Sequence, residues 1–199
     1  MPLEFKEAME ARRSIYGICN ESTITAEEIL EIVDHSTKNI PSPFNCQSQR
    51  VAVFLGEKHL EFWNIVMETL RKRVLADDFK AIERRINGFA AGCGTLLFYE
   101  DTSITKGLME RFIPYKESIP DWAEQANGML QFAIWTQLSA AGLGASLQHY
   151  NSIIAHEVKT AFLIPSDWRL IAQMPFGMPT EEPVTKVFEP IERRVIVIE

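Results

Sequence analysis

The strongest constraint on the fold is a long, weakly polar segment that runs from Trp122 to about Ala141. Small and apolar residues fall on several faces of the helix that this segment would form. A helix of this kind must be packed on more than one side, which predicts a central position in the fold. Asp121 and Glu124 have capping-box spacing and predict that the helix begins beside them.

Short apolar runs predict the strands that pack with this helix. They are "RVAVFLG" from residue 50, "GCGTLLFYE" from residue 92, "WRLIAQMPFG" from residue 168 and "RRVIVIE" from residue 193. Helical spacing of apolar residues separates these runs, and a second capping-box pair, Thr25 and Glu28, opens one of the helices. Helices interleaved with a few strands indicate an α+β or α/β domain.

The last strand is unusually apolar for a chain end. A strand such as "RRVIVIE" needs a sheet edge with which to pair, and that edge belongs either to its own chain or to a partner.

Composition bounds the remaining possibilities. The 199 residues are 46% hydrophobic, which is enough for one core, so a single domain spanning residues 1–199 is expected. A net charge of -7 argues against a non-specific nucleic-acid binder, and no apolar run is long enough to predict a membrane helix. Three widely spaced cysteines and a charged N-terminus without a signal peptide predict reduced thiols in a cytoplasmic protein, with neither a disulfide framework nor a metal site.

Two polar clusters are candidates for ligand binding. The first cluster, Arg12, Arg13 and Ser14, lies where the first helix should end. Its guanidinium and hydroxyl groups could bind a phosphate, or the two cations could interact with the carbonyl groups at the end of that helix. Asn45 and Gln47 alternate across "PSPFNCQSQR", so their amides suit a ring with amide-like edges, or else close an Asx-turn.

His149, at the end of "GLGASLQHYN", has three possible roles. It suits an acid, a metal ligand or a structural histidine. No second ligand stands at suitable spacing, which disfavours the metal.

In this order along the chain, the motifs resemble those of the nitroreductase family. "RRSIY" is followed by "PSPFNCQSQR", then "SAAGLGASLQHYN", "LIPSDWRLIAQMPFGMP" and "KVFEPIERRVIVIE". The chain is most similar to a short branch that includes bacterial copper-induced nitroreductases and fungal proteins linked to fatty-acid repression. The resemblance implies an α+β sandwich with a mostly antiparallel sheet flanked by helices. It also implies FMN bound between the subunits of an intertwined homodimer that exchanges C-terminal strands.

The resemblance also implies which residues bind the cofactor. Arg12, Arg13 and Ser14 match a motif for the FMN phosphate and ribityl chain, and Asn45 and Gln47 match positions that hydrogen-bond the flavin. Gln148, His149 and Tyr150 match a turn that places a backbone amide near flavin N5. Lys186 and Arg194 match basic positions that neutralise the FMN phosphate.

Three features of the sequence depart from the family pattern, the first being Phe188, which stands two positions beyond Lys186 where larger members often carry a basic residue. Tyr16 stands where many members carry a cation close to flavin N1 and O2. The segment between Glu100 and Asp121 is short, with little room for a helical lid. We therefore expect an open substrate pocket, lined partly by Phe112, Tyr115 and Trp122.

The function that the resemblance implies is an FMN-dependent NAD(P)H oxidoreductase. It would reduce nitroaromatic or quinone acceptors by a ping-pong hydride transfer through flavin N5, without a catalytic side chain. The alternative is a flavin-binding redox sensor or regulator in stress or lipid signalling, with little turnover. Tyr16 and the odd number of cysteines leave that alternative open.

Overall fold

A computed structural model describes residues 4–199, with side chains throughout except at residues 76–78. The strands are β1 (Ile18–Cys19), β2 (Gln49–Leu55), β3 (Gly94–Asp101), β4 (Gly144–Ala145) and β5 (Trp168–Pro179). The helices are α1 (Phe5–Ala11), α2 (Ala26–Asn39), α3 (Gly56–Arg71), α4 (Ala76–Ala90), α5 (Thr102–Arg111), α6 (Ile119–Ala140) and α7 (Asn151–Phe162). None of the helices within this part of the chain is long and apolar enough to cross a membrane.

The strands form one antiparallel sheet in the order β1-β5-β3-β2, with β4 added to β5. Central β3 is buried on both faces, which explains its continuous apolar run. Leu96 and Phe98 pack with α2 and α6, while Leu97 and Tyr99 pack with α3, α4 and α7 on the other face. The predicted α+β sandwich with an antiparallel sheet and flanking helices is confirmed.

Helix α6 occupies the predicted central position, in contact with α1, α2, α5 and the sheet. The prediction of its start was wrong. The helix begins at Ile119 after the N-cap Ser118, with proline in its first turn, and no capping box forms at Asp121. Proline at this position needs no N–H partner and carries a preset φ, so it starts the helix early. Glu124 instead binds Arg169 across the surface at 2.5 Å.

The capping box of α2 is confirmed. The backbone N–H of Glu28 donates to Thr25 Oγ1 at 3.2 Å, and the Thr25 N–H donates to Glu28 Oε2 at 2.8 Å. Two of the free N–H groups at this helix start are thereby satisfied by residues adjacent in sequence, so the pattern was legible without tertiary structure.

The C-terminal segment differs from the prediction of a fourth strand. Residues 180–199 contain no strand within the single chain; they form an exposed tail with a short 3-10 turn at Ile191–Arg193. The apolar run at Val195–Ile198 remains largely exposed and pairs with no strand of the single chain. The segment between Glu100 and Asp121 also differs, since it folds into α5 and a 3-10 turn at Ile113–Tyr115.

Candidate functional site

The "PSPFNCQSQR" loop has an unusual backbone. Phe44, Asn45 and Gln47 all adopt left-handed conformations, with φ of 53°, 53° and 52°. Hydrogen bonds to Ser42 hold the loop: its carbonyl accepts from Asn45 N–H and its hydroxyl accepts from Gln47 N–H, both at 2.9 Å. Left-handed residues other than glycine persist only where their surroundings enforce them, and they concentrate at functional sites. The loop is therefore a shaped structure rather than a simple Asx-turn.

Asn45 and Gln47 both present exposed side chains from this loop. Gln47 Nε2 donates to the backbone carbonyl of Asn45 at 3.3 Å. The exposed side-chain amides of both residues offer donors and acceptors to a ligand.

An aromatic cluster adjoins the loop. The ring of Phe44 stacks on Phe112 with centroids 4.0 Å apart, and Tyr115 and Trp122 each lie 6.2 Å from Phe44. Phe44 and Trp122 line a cavity of about 320 Å³ between the loop and the first half of α6, whereas Phe112 and Tyr115 lie outside its lining. The structure therefore brings together the three aromatic residues predicted to line the substrate pocket. Phe44, which was not predicted, is the residue that joins them.

Two guanidinium groups lie beyond the C-terminal end of α1. Arg12 lies over the ring of Trp135 in α6, with its guanidinium carbon 4.3 Å from the centroid. Arg13 donates to the carbonyl of Val184 in the tail. Ser14 is exposed and pairs with Ala145 in an isolated bridge. Burial, and then the charge of Arg13, lower the pKa of Arg12, which is a sign that a positive charge here lacks compensation.

The turn that precedes α7 is fixed by Gln173 of β5. The Gln173 carbonyl accepts from Gln148 N–H at 2.7 Å, and its side-chain oxygen accepts from Tyr150 N–H at 2.9 Å. Within residues 4–199, the N–H of His149 between them has no protein acceptor. The His149 side chain is exposed, so the free backbone amide is the distinctive group of this turn. No signal in the sequence pointed to Gln173, which lies 23 residues beyond Tyr150.

The C-terminal basic residues lie in the exposed tail. Lys186 follows the Val184 contact with Arg13 by two residues, and its ammonium lies 5.0 Å from the Phe188 ring. Arg194 closes a 3-10 turn on Ile191, and none of its hydrogen bonds within the described chain reaches the Arg12–Ser14 segment. In the single chain, neither Lys186 nor Arg194 forms a hydrogen bond with the Arg12–Ser14 segment among the described residues.

The candidate residues form two groups in one chain. Arg12 contacts α6 at Trp135, whereas the loop and aromatic cluster contact it around Trp122 and Met129. Trp122 and Trp135 are about 20 Å apart along the helix axis, at roughly 1.5 Å per residue. We call these two candidate groups the cationic half-site and the loop half-site.

Among the residues whose side chains are described, no group of three potential metal ligands occurs. Cys19, Cys46 and Cys93 are all free. The polar groups of the two half-sites are guanidinium, amide and backbone N–H groups, which bind anions and polar ring edges.

The antiparallel α+β fold is that of a family of redox enzymes. The chain belongs to the nitroreductase family, whose model, described as "Nitroreductase family", matches residues 9–178. Family and fold support an oxidoreductase role.

Particular relatives sharpen this assignment. The chain is 31% identical over 186 residues to the Saccharomyces cerevisiae protein named "Putative nitroreductase HBN1", and 28% identical to nitroreductase FRM2 of the same yeast. In both cases the match covers 92% of each chain. The solved structure of nitroreductase CinD from Lactococcus lactis in complex with chloramphenicol superposes with a TM-score of 0.90 at 32% identity. That match covers 98% of this chain and all of CinD.

Proposed function

We propose that the protein is a cytoplasmic, FMN-dependent NAD(P)H oxidoreductase that reduces nitroaromatic or quinone acceptors. Family membership supports the reaction class. The observation that carries the cofactor assignment is the uncompensated cation pair of Arg12 and Arg13 in a chain whose net charge is -7.

The Arg12–Ser14 segment fits the phosphate of FMN. Arg12 Nε is buried without a hydrogen-bond partner, and neither Arg12 nor Arg13 forms an ion pair with any side chain that the structure describes. A buried donor without an acceptor costs about 1–3 kcal/mol or more when charged, so a ligand oxyanion in reach of Nε is strongly favoured. The exposed Ser14 hydroxyl adds a further donor to the same anion.

The remaining groups fit the polar edges of the flavin. Exposed amides of Asn45 and Gln47 offer donors and acceptors to the ring and ribityl chain. The free N–H of His149 lies just before α7, where the positive end of the helix dipole strengthens it as a donor to an electron-rich ring atom. When bound, FMN supplies the redox chemistry, taking a hydride from NAD(P)H and passing electrons to the acceptor in a ping-pong cycle.

We propose that a second copy of the chain completes the site. An apolar groove of about 780 Å³ runs along α6, and it exposes Phe5, Met129 and Phe132. A contiguous apolar surface of this kind marks an interface. A two-fold pairing across the groove would place the loop half-site of one copy opposite the cationic half-site of the other. The exposed Val195–Ile198 run would then pair with a sheet edge of the partner, as strand exchange requires.

The aromatic cluster is the proposed acceptor pocket. Stacked and tilted rings of Phe44, Phe112 and Trp122 favour a planar aromatic ligand and exclude water from its faces. CinD, solved in complex with 4-nitrophenol, is 32% identical with a TM-score of 0.89. We extend that ligand class, and not its detailed pose, to this chain.

The function is tested by the colour and kinetics of the purified protein. We expect flavin absorption bands that are released as FMN on denaturation. In a stopped-flow experiment, NADH or NADPH should bleach the bound flavin rapidly, and a nitroaromatic should then restore its absorbance. A flavin that is bound but hardly reduced would instead support the redox-sensor alternative. A colourless protein that fails to bind added FMN would overturn both.

A further inference from the structure

A buried carboxyl group lies behind the cavity between the loop and α6. Glu100, near the end of β3, is only 1% exposed. Asn127 Nδ2 of α6 donates to the backbone carbonyl of the preceding residue, Tyr99, at 2.9 Å. Asn127 directly follows Ala126, which lines that cavity. Glu100 is therefore held against the same stretch of α6 that forms one wall of the cavity.

This carboxyl group has no paired cation. Among the side chains that the structure describes, none forms an ion pair with Glu100. The cations around it are engaged elsewhere, since Arg169 pairs with Glu124 at 2.5 Å and Arg50 pairs with Asp101 at 3.1 Å. Burial is the largest influence on the pKa of the Glu100 carboxyl, and it raises that pKa. A buried and unpaired carboxyl of this kind favours its protonated form.

Two side chains connect Glu100 with the "PSPFNCQSQR" loop. Ser48 is fully buried, and its carbonyl accepts from the backbone N–H of Asp101 at 2.9 Å, which holds it beside the end of β3. Its hydroxyl lies near Glu100 and lowers the pKa of that carboxyl by less than burial raises it. Cys46 Sγ donates to Ser48 Oγ at 3.4 Å, and Cys46 is half-buried in the loop. Carboxyl, hydroxyl and thiol groups each donate and accept protons, so the three form a line from the core to the loop.

The line ends where the cofactor and the acceptor are proposed to meet. Cys46 lies between Asn45 and Gln47, whose exposed amides are proposed to hold the flavin, and two residues beyond Phe44. The only other ionisable side chain of the loop is Arg50, and a guanidinium group does not release its proton in proteins. Reduction of a quinone needs a proton as well as a hydride, because the hydride alone leaves a hydroquinone anion. A donor placed beside the site accelerates such a proton transfer.

We propose that Glu100 is a proton reservoir for the electron acceptor, with Ser48 and Cys46 as its relay. The Cys46 thiol gives its proton to the oxygen of the hydroquinone anion, the Ser48 hydroxyl gives its proton to the sulfur, and Glu100 reprotonates Ser48. One O–H bond forms on the acceptor and one O–H bond of Glu100 breaks, while the relay groups end as they began. Water at the loop returns a proton to the carboxylate before the next turnover. The inference rests on the proposed function, which supplies the hydride.

The protonation of Glu100 is tested in the FMN-free protein, without turnover. An infrared pH titration should show one carboxyl group that keeps the carbonyl band of its protonated form after the exposed carboxyl groups have ionised. Glu100→Gln should remove this late band, whereas Glu110→Gln, an exposed control on α5, should keep it. A wild-type protein without the late band, or a late band that persists in Glu100→Gln, would overturn the proposal.

Reoxidation of the reduced flavin in a stopped-flow experiment tests the relay. The reduced protein is mixed with menadione, a quinone, or with ferricyanide, which takes up electrons without a proton. Glu100→Gln and Cys46→Ala should slow the menadione reaction about tenfold or more, since a positioned proton donor contributes about 100-fold or more and water partly replaces it. Neither variant should slow the ferricyanide reaction. Cys46→Ser keeps a group that carries a proton, so it should retain most of the menadione rate.

The pH profile separates proton delivery from a structural role. The menadione rate of the wild-type protein should fall as pH rises through the folded pKa of Glu100, because the reservoir is empty above it. Other charged groups face Glu100, namely Asp101 on its own strand, Arg50 on β2, Arg169 on β5 and Glu124 on α6. All four remain in Glu100→Gln, so a profile that becomes flat in this variant assigns the pH dependence to Glu100.

The proposal is wrong if Glu100→Gln or Cys46→Ala reacts with menadione as fast as the wild-type protein. It is equally wrong if the ferricyanide reaction slows as much as the menadione reaction, or if Cys46→Ser is as slow as Cys46→Ala. In those cases a wild-type protein that binds FMN and is reoxidised by menadione would leave the proposed function intact. A wild-type protein that binds no FMN would overturn the proposed function and, with it, the role of the reservoir.

Discussion

The ring of Phe44 lies parallel to that of Phe112, with centroids 4.0 Å apart and an interplanar angle of 3°. Phe44 achieves this from a left-handed backbone position, φ 53°, which phenylalanine rarely adopts. The left-handed backbone is energetically unfavourable for phenylalanine, and it directs this aromatic ring into the proposed acceptor pocket.

Replacement of Phe44 should impair acceptor binding rather than electron transfer. Phe44→Asn removes the ring while keeping a residue that tolerates the left-handed backbone. Loss of an aromatic contact worth about 0.5–1.5 kcal/mol should raise KM for a nitroaromatic roughly 2- to 10-fold, with kcat per bound flavin unchanged. Steady-state kinetics at saturating NAD(P)H measure both constants. Phe188→Asn, an exposed tail substitution, is the control, and an unchanged KM in Phe44→Asn would remove Phe44 from the pocket.

Arg12 should matter more to FMN retention than Asn45. Arg12→Ala removes a half-buried cation whose Nε lacks a protein acceptor, whereas Asn45→Ala removes a neutral, exposed amide. Hydrogen bonds to charged groups contribute about 1.5–3 kcal/mol and neutral ones about half as much, so the FMN Kd should rise about tenfold more in Arg12→Ala. Flavin-to-protein absorbance ratios after purification, followed by FMN titration, give the ranking. Arg73→Ala serves as a charge control, and equal flavin content in both test variants would refute the ranking.

Phe132→Asp should separate the proposed homodimer. Phe132 is 37% exposed on the α6 groove, and a two-fold interface would bury it twice. Burial of each aromatic side chain contributes about 1.5–3 kcal/mol, so the dimer Kd should rise by about a hundredfold or more. Sedimentation velocity reports the association state, and flavin absorbance at the same boundary shows whether FMN leaves with the partner.

The control for this interface is Leu75→Asp, which places the same charge on a residue that is 78% exposed just before α4. It should remain dimeric and keep FMN. A Phe132→Asp protein that also stays dimeric would show that the α6 groove is not the interface.

Glu100 should make the protein less stable as pH rises. Its carboxylate is buried, and burial raises its pKa by more than the nearby Ser48 hydroxyl and Arg169 charge lower it. The folded protein thus retains a proton that the unfolded chain releases above its ordinary pKa of about 4.3. The stability contributed by the protonated form is fully present below that pH and is lost as pH rises through the folded pKa.

The corresponding substitution is Glu100→Gln, which keeps the shape but cannot ionise. Urea unfolding should show little difference from wild type at pH 4. At pH 8 the free energy of unfolding should exceed that of wild type by about 1–3 kcal/mol, the cost of an unsatisfied buried group. Glu110→Gln on exposed α5 should show no such trend, and a difference independent of pH would contradict the assignment.

Several elements were legible in the sequence because their determinants are local. The Thr25–Glu28 capping box formed as predicted, and the β-branched and aromatic runs became β2, β3 and β5. Helix α4 was not predicted, although Phe79, Ile82, Ile86 and Phe89 follow helical spacing and pack against the other helices. The helix α6 begins beside Pro120 and not at the Asp121–Glu124 capping pattern, because the fixed φ of proline favours a helix start there.

The sequence by itself determined the three long strands, the central helix and the capped helix α2, and the ordered motifs sufficed for the family resemblance. Those features depend on residues that are at most a few positions apart, so they can be identified without the tertiary structure. Only the tertiary structure decided that Phe44 stacks on Phe112, that Gln173 fixes the turn at Tyr150, and that Glu181 meets the N–H groups of Gly17. These contacts join residues that are 23 to 164 positions apart, and their geometry arises from sheet register and helix packing rather than from local propensity.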